Sequence, residues 1–152
     1  MARWISAELR QAIADRANLL CEYCLIAEAD TFYGCQVDHI ISLKHGGSSE
    51  LDNLAYACAL CNRAKGSDIG SVSATGEFTR FFNPRTDHWS EHFKLEGSMI
   101  HPLTTIGEVT ARIFGFNDSA RLHEREEMIR FNKYPGKAAG SIIYNSRDLN
   151  GK

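Results

Sequence analysis

At 152 residues and 43% apolar content the chain is long enough for one packed domain, so a disordered segment is not the default reading. No apolar run approaches the roughly 18 residues of a membrane span, and the N-terminus reads as an amphipathic helix rather than a signal core, so no membrane is implied and the expected location is the cytoplasm. A net charge of -2 is against a broadly basic nucleic-acid-binding face: residues 1–70 carry six Lys/Arg against nine Asp/Glu and residues 71–152 eleven against ten, so any nonspecific affinity should be weak.

Ser6 is placed to N-cap a helix on which Ile5, Leu9, Ile13, Ala17 and Leu20 recur at helical spacing, ending near Cys21. Residues 36–43, β-branched around Asp38 and His39, predict a strand that Gly46 and Gly47 break. A loop over 51–54, a strand over 55–58 and a helix over 60–65 stopped by Gly66 complete the first half. In the second half, 77–82 and 89–103 read as short strands, with a hairpin turn at Glu96, Gly97 and Ser98. Thr105 and Glu108 fit a capping box ahead of Ile106, Val109, Ile113 and Phe116, and a second helix runs from Asn117 or Asp118 to about Lys133, where Pro135 and Gly136 end it. The last stretch, from Met128 to Ile143, carries Arg130, Lys133 and Lys137 with no acid; a fraying helix end and solvated tail is preferred over a DNA-contacting arm. The class is α+β, with a core in 1–70 and an extension in 71–152 packed on it as one domain.

The chemistry lies in three short motifs. Cys21 and Cys24, then Cys58 and Cys61, are pairs whose spacing lets each grip one face of a tetrahedral Zn²⁺. The 33 residues between the pairs exceed the gap of a common zinc ribbon and suit an inserted strand and loop. Cys35 is the fifth and odd cysteine, which excludes complete disulfide pairing and reads as a small buried hydrophobe. Asp38 and His39 stand between the pairs, and Asn53 and Asn62 follow. A regular strand would point Asp38 and His39 to opposite faces, so sharing a site needs twist or a bulge.

Laid out in this order, the residues from Cys21 to Lys65 resemble the HNH nuclease family of the ββα-metal type. That resemblance implies a ββα-metal core with a four-cysteine zinc clamp, to which the spacing adds an N-terminal helix and a C-terminal hairpin plus two helices. It implies His39 as general base, Asn53 as the residue orienting it, and Asp38 with Asn62 as ligands of a catalytic Mg²⁺ or Mn²⁺. Asn62 stands where other members have His and offers only a neutral carbonyl oxygen, so the ion should be held weakly. The implied activity is hydrolysis of DNA, or RNA, leaving a 5′-phosphate and a 3′-hydroxyl. Lys44, His45, Arg63 and Lys65 flank the motif and are candidates for phosphate contact. His88, His92, His101 and His123 have no partner spacing and read as structural. A zinc-stabilised module that binds nucleic acid without cutting is the alternative, and a protein-interaction domain would explain the cysteines but not Asp38, His39, Asn53 and Asn62. Cleavage specificity and oligomeric state are not legible.

Overall fold

The computed structural model describes residues 4–144. The Ser6 hydroxyl accepts the Leu9 amide at 3.1 Å and opens α1 (Ala7–Arg16). That helix stops short of Cys21 because Asn18 and Leu19 take positive φ, 54° and 58°. Ala17 and Leu20 fit helical spacing and are buried, but from a turn. Arg16, the last residue of α1, donates to the carbonyls of Leu51 (2.9 Å) and Leu54 (2.6 Å), tying the helix to the segment that enters the next sheet.

β1 (Cys35–His39) pairs antiparallel with β2 (Leu54–Cys58), Cys35 opposite Cys58 and His39 opposite Leu54. β1 ends four residues before the expected Leu43. Asn53 is the reason: its carbonyl takes the Ile40 amide, while its side chain accepts the Ile41 amide and donates to the Ile41 carbonyl, each bond 2.9 Å long. The chain then turns through a 3₁₀ segment, Leu43–His45, and Gly46 at φ 88°. At Gly47 a Cβ would stand 1.7 Å from the Ile41 oxygen, so only glycine permits this close approach. β2 is buried along its whole length and runs directly into α2 (Ala59–Lys65), which Gly66 terminates. These three elements form the expected ββα unit.

β3 (Gly70–Val72), which no apolar alternation announces, pairs with β4 (Phe78–Arg80). Where a strand was expected from residue 89, α3 (Trp89–His92) forms one short helix, and β5 (Phe93–Glu96) and β6 (Met99–Pro102) follow as a hairpin turning at Gly97. α4 (Thr105–Phe114) is capped by Thr104, one residue ahead of the expected box, and Glu108 pairs with Arg112 instead. α5 (Ser119–Arg130) precedes a 3₁₀ turn, Lys137–Ala139, and α6 (Gly140–Ile143). The C-terminal stretch is not a solvated tail. The buried Tyr134 donates to the Cys24 carbonyl at 2.6 Å, the Gly136 amide donates to the Leu25 carbonyl at 3.1 Å, and Ala139 is fully buried. Arg130 pairs with Glu127 and Lys133 with Asp30.

One buried cluster draws on both halves of the chain, from Ile13 to Ala139. Its densest part is aromatic: Tyr23, Phe81, Phe82, Trp89, Phe93, Phe114 and Phe116 meet mostly edge to face or tilted, with ring centroids 4.9–6.4 Å apart. Trp89 also donates its indole N–H to the Tyr23 carbonyl at 2.9 Å, fixing the backbone between Cys21 and Cys24. Among the described residues no helix is long and apolar enough to cross a membrane.

Candidate metal centre and cleft

Cys21 and Cys24 lie in a tight knuckle after α1, closed by the Leu25 amide on the Cys21 carbonyl (3.0 Å) with Leu25 in left-handed backbone, φ 68°. Cys58 ends β2 and N-caps α2, its sulfur accepting the Cys61 amide at 3.5 Å, while the Cys24 amide points at the Cys21 sulfur over the same distance. All four sulfurs are buried and lie within 4.8 Å of one another, Cys24 and Cys58 at 3.7 Å. A Zn–S bond of ~2.3 Å requires sulfurs ~3.8 Å apart in a tetrahedron, so the four thiols are positioned to bind a metal ion and fit zinc. Hydrogen bonds from Cys21, Cys58 and Cys61 hold the Cys24 thiol well below the usual range, while burial pushes Cys21 and Cys61 up. Cys35 is buried opposite Cys58 but lies outside the cluster, and burial raises its thiol.

A cation from the second half faces this cluster. Arg121 of α5 donates to the Cys61 sulfur at 3.4 Å and to the Phe114 carbonyl at 2.9 Å. Burial alone would lower its guanidinium pKa, but the neighbouring Cys61 and Cys24 sulfurs, Cys61 as hydrogen-bond acceptor, hold it above its ordinary value. A donor beside a four-thiolate site offsets the cluster's charge and steadies a ligand.

At the other end of β1 an open cleft of about 320 Å³ is bordered by Asp38, His39, Lys44 and Asn62. Asp38 is buried and His39 half-buried, and both border the cleft, which opens where the strand ends. Asp38 accepts the Tyr23 hydroxyl on one oxygen (2.7 Å) and the Lys65 ammonium on the other (3.2 Å). Burial raises its carboxyl pKa, against the charge of Lys65 and the hydrogen bonds of Tyr23 and Lys65. His39 is lowered by burial, with Lys65 adding to that and Asp38 opposing it. The Asn62 amide donates to Gln36 at 2.5 Å, which fixes the amide and makes its carbonyl oxygen the atom that could ligate an ion. Each carboxylate oxygen keeps a second lone pair, so one carboxylate and one amide oxygen fit a hard divalent ion completed by water.

Two candidate residues stand differently from expectation. Asn53 does not touch the imidazole: its side chain bonds Ile41 and the Ser48 carbonyl, and the His39 Nε2 meets the Ser49 hydroxyl at 3.0 Å. Asn53 therefore sets the loop that carries Ser49, and Ser49 meets the ring. Lys65, expected to reach phosphate, is only 1% exposed and is held by Asp38 and the His39 carbonyl. His45 and Arg63 are exposed but do not border the cleft. Tyr23, Gln36, Ser49 and Arg121 escaped the sequence reading. Tyr23 lies inside the first cysteine pair, yet an aromatic there has no reserved meaning, and Ser49 sat in a stretch read only as a break. A cavity of about 430 Å³ beside Trp89 and Ile142 shares no residue with the cleft.

A metal-binding knuckle and a ββα unit with polar groups gathered at its open end define a ββα-metal core. Residues 21–68, about a third of the chain, match the family model described as HNH endonuclease, and a match to such a domain suggests a nuclease or nucleic-acid-binding role. Comparisons with curated proteins and with solved structures return no match.

Proposed function

We propose that the protein is a metal-dependent endonuclease that hydrolyses DNA phosphodiester bonds, with RNA as the second substrate class. The observation that carries this reading is the meeting of Asp38, His39 and Asn62 at one open cleft inside the HNH-matched unit. Zinc on Cys21, Cys24, Cys58 and Cys61 is structural, since all four positions are filled by thiolates and none is left for a substrate. A Mg²⁺ or Mn²⁺ ion on Asp38 and Asn62 would supply Lewis-acid stabilisation of the phosphoryl and leaving oxygens.

The chain's own groups do the rest. The contact of His39 Nε2 with the Ser49 hydroxyl fixes the ring; in the tautomer that donates from Nε2, Nδ1 carries the lone pair that takes a proton from the attacking water. Asn53 acts one step back, by fixing Ile41 and Ser48 on either side of that arrangement. Exposed Lys44 at the cleft edge is the phosphate contact, and exposed His45 and Arg63 extend it.

The test is conversion of supercoiled plasmid with Mg²⁺, Mn²⁺ or EDTA. Cleavage is expected with either ion and not with EDTA, and His39→Ala should cut roughly 10²- to 10⁴-fold more slowly while keeping its zinc and its fold. Cutting by His39→Ala at the wild-type rate would remove His39 as the base, and no cutting with any divalent ion would assign the domain to the binding module that does not cleave.

A further inference from the structure

Lys65 ends α2 with its ammonium directed back into the protein. Nζ donates to Asp38 Oδ1 at 3.2 Å and to the His39 carbonyl at 2.8 Å, and Tyr23 covers the other carboxylate oxygen at 2.7 Å. The two ions are 1% and 3% exposed. Taking both from water is costly, and an apolar side chain of similar length would fill the same space, so helix packing alone does not call for a lysine here. The pair also has a consequence for charge. Asp38, Lys65 and the neutral Asn62 sum to zero at the cleft, whereas a site for a divalent ion gains affinity with the number of charged ligands it presents.

We propose that Lys65 is the resident counter-ion of Asp38, so that the cleft holds a divalent cation feebly by itself and firmly once a nucleic-acid phosphate adds its negative charge. This rests on Asp38 and Asn62 being the ion's ligands, as read above. The cation and the scissile phosphate then enter as a pair, because neither Asp38 nor the phosphate alone offsets two positive charges beside an ammonium. Lys65 is thus a positioning residue that acts through Asp38 and does not touch the substrate.

Mn²⁺ binding to the zinc-loaded full chain, followed by the electron paramagnetic resonance of free Mn²⁺, tests this without any turnover. The wild type is expected to bind with a dissociation constant on the order of millimolar. Lys65→Met should tighten it by about tenfold or more, Lys65→Arg should stay near the wild type, and Asp38→Asn placed on Lys65→Met should abolish the gain. A second measurement needs no change at Lys65: labelled duplex should bind the slow-cutting His39→Ala chain, read before cleavage sets in, about tenfold more tightly when Mn²⁺ is present, which stands even if Lys65→Met fails to fold. Unchanged Mn²⁺ affinity in a folded Lys65→Met, or no effect of Mn²⁺ on duplex binding, overturns the counter-ion role. Micromolar binding by the free wild type that Asp38→Asn abolishes overturns it while sparing the endonuclease reading; tight binding indifferent to Asp38→Asn removes both.

Discussion

The two ends of the β1–β2–α2 unit are built in opposite ways. At the end where Cys35 faces Cys58, four sulfurs are buried and braced by the second half of the chain: Arg121 on Cys61, Trp89 on the Tyr23 carbonyl and Tyr134 on the Cys24 carbonyl. At the end where His39 faces Leu54, the polar groups border an open cleft and are held by near neighbours, Asn53, Ser49 and Lys65. The difference is physical. A buried donor cluster is tolerable only with every atom satisfied, whereas a site that must admit water and substrate gives up that packing and borrows rigidity from the closed end. Residues 70–143 thus line none of the cleft and act on it by packing against the knuckle, β2 and α2, Arg85 donating to the Leu54 carbonyl at 3.2 Å and α4 lying against α2.

Breaking the closed end should have the largest effect. Cys58→Ser retains an N-cap for α2, since a serine hydroxyl caps a helix well, so whatever is lost is the fourth thiolate and not the helix start. Site formation in small zinc modules contributes ~10–16 kcal/mol, and removing one ligand of four forfeits a large share of it. The expected result is loss of the bound metal, read by elemental analysis, together with loss of near-ultraviolet circular dichroism from the aromatic cluster around Tyr23. Full retention of one zinc per chain in this variant would show that the four sulfurs are not a ligand set. Cys35→Ser should leave the metal in place.

The same contrast explains what could be read from the sequence. The closed end was legible because metal ligands come at fixed short spacing, and β2, α2 and Gly66 follow from apolar content and a helix stop. The open end was legible only in part. His39, Asp38 and Asn62 are chemically marked types, but Asn53 and Ser49 act through contacts 12 and 10 residues away in sequence, and no periodicity predicts which of them meets the ring. Lys65 was misplaced because surface lysine is the rule and a buried pair needs a partner, Asp38, 27 residues away. In the second half, Phe81, Phe82, Trp89, Phe93, Phe114 and Phe116 pack across several elements, so their pattern has neither a helix nor a strand period. Trp89 fits a strand as well as the first turn of α3, and nothing local to Tyr134 announces its hydrogen bond to the Cys24 carbonyl, 110 residues away.

A milder variant sharpens the comparison by loosening the brace and leaving the ligands intact. Arg121→Leu keeps most of the volume but removes the donor to Cys61 and the positive charge beside the thiolates. Loss of such an outer partner typically weakens a metal site ~10- to 100-fold, so competition with a chromophoric chelator should show zinc released in that range, with Arg121→Lys recovering part of it. The fold should survive, since the aromatic cluster keeps its ring contacts and loses only the guanidinium over Phe116 and its bond to the Phe114 carbonyl. Equal zinc affinity in wild type and Arg121→Leu would mean that Arg121 is no part of the brace and that the second half holds the knuckle through its other contacts, among them Trp89, Tyr134 and Gly136.

The smallest effect is expected farthest from the metal, where Asp87 steadies the chain leading into α3. Its carboxylate accepts Arg80 at 2.7 and 2.9 Å and the Asn83 amide at 2.8 Å, two residues before Trp89. Burial would raise this carboxyl, but the Arg80 hydrogen bonds, the Asn83 amide and the charges of Arg80 and His92 outweigh it and hold the pKa below the usual carboxylate range. A carboxyl depressed in the folded state binds protons more readily when unfolded. Its stabilisation is therefore complete above the unfolded pKa of ~3.9 and disappears as pH falls through the lower folded value. Arg80 is half exposed, which screens the pair and keeps the contribution under about 1 kcal/mol. Asn at this position can still accept the Asn83 amide, so Asp87→Asn isolates the charge. Denaturant melts should find the variant slightly less stable than wild type at pH 7, with the gap closing as pH drops below about 4. A gap that stays constant down to pH 3 would mean that Asp87 acts there through its shape and neutral hydrogen bonds, and that the ion pair with Arg80 adds nothing to the brace.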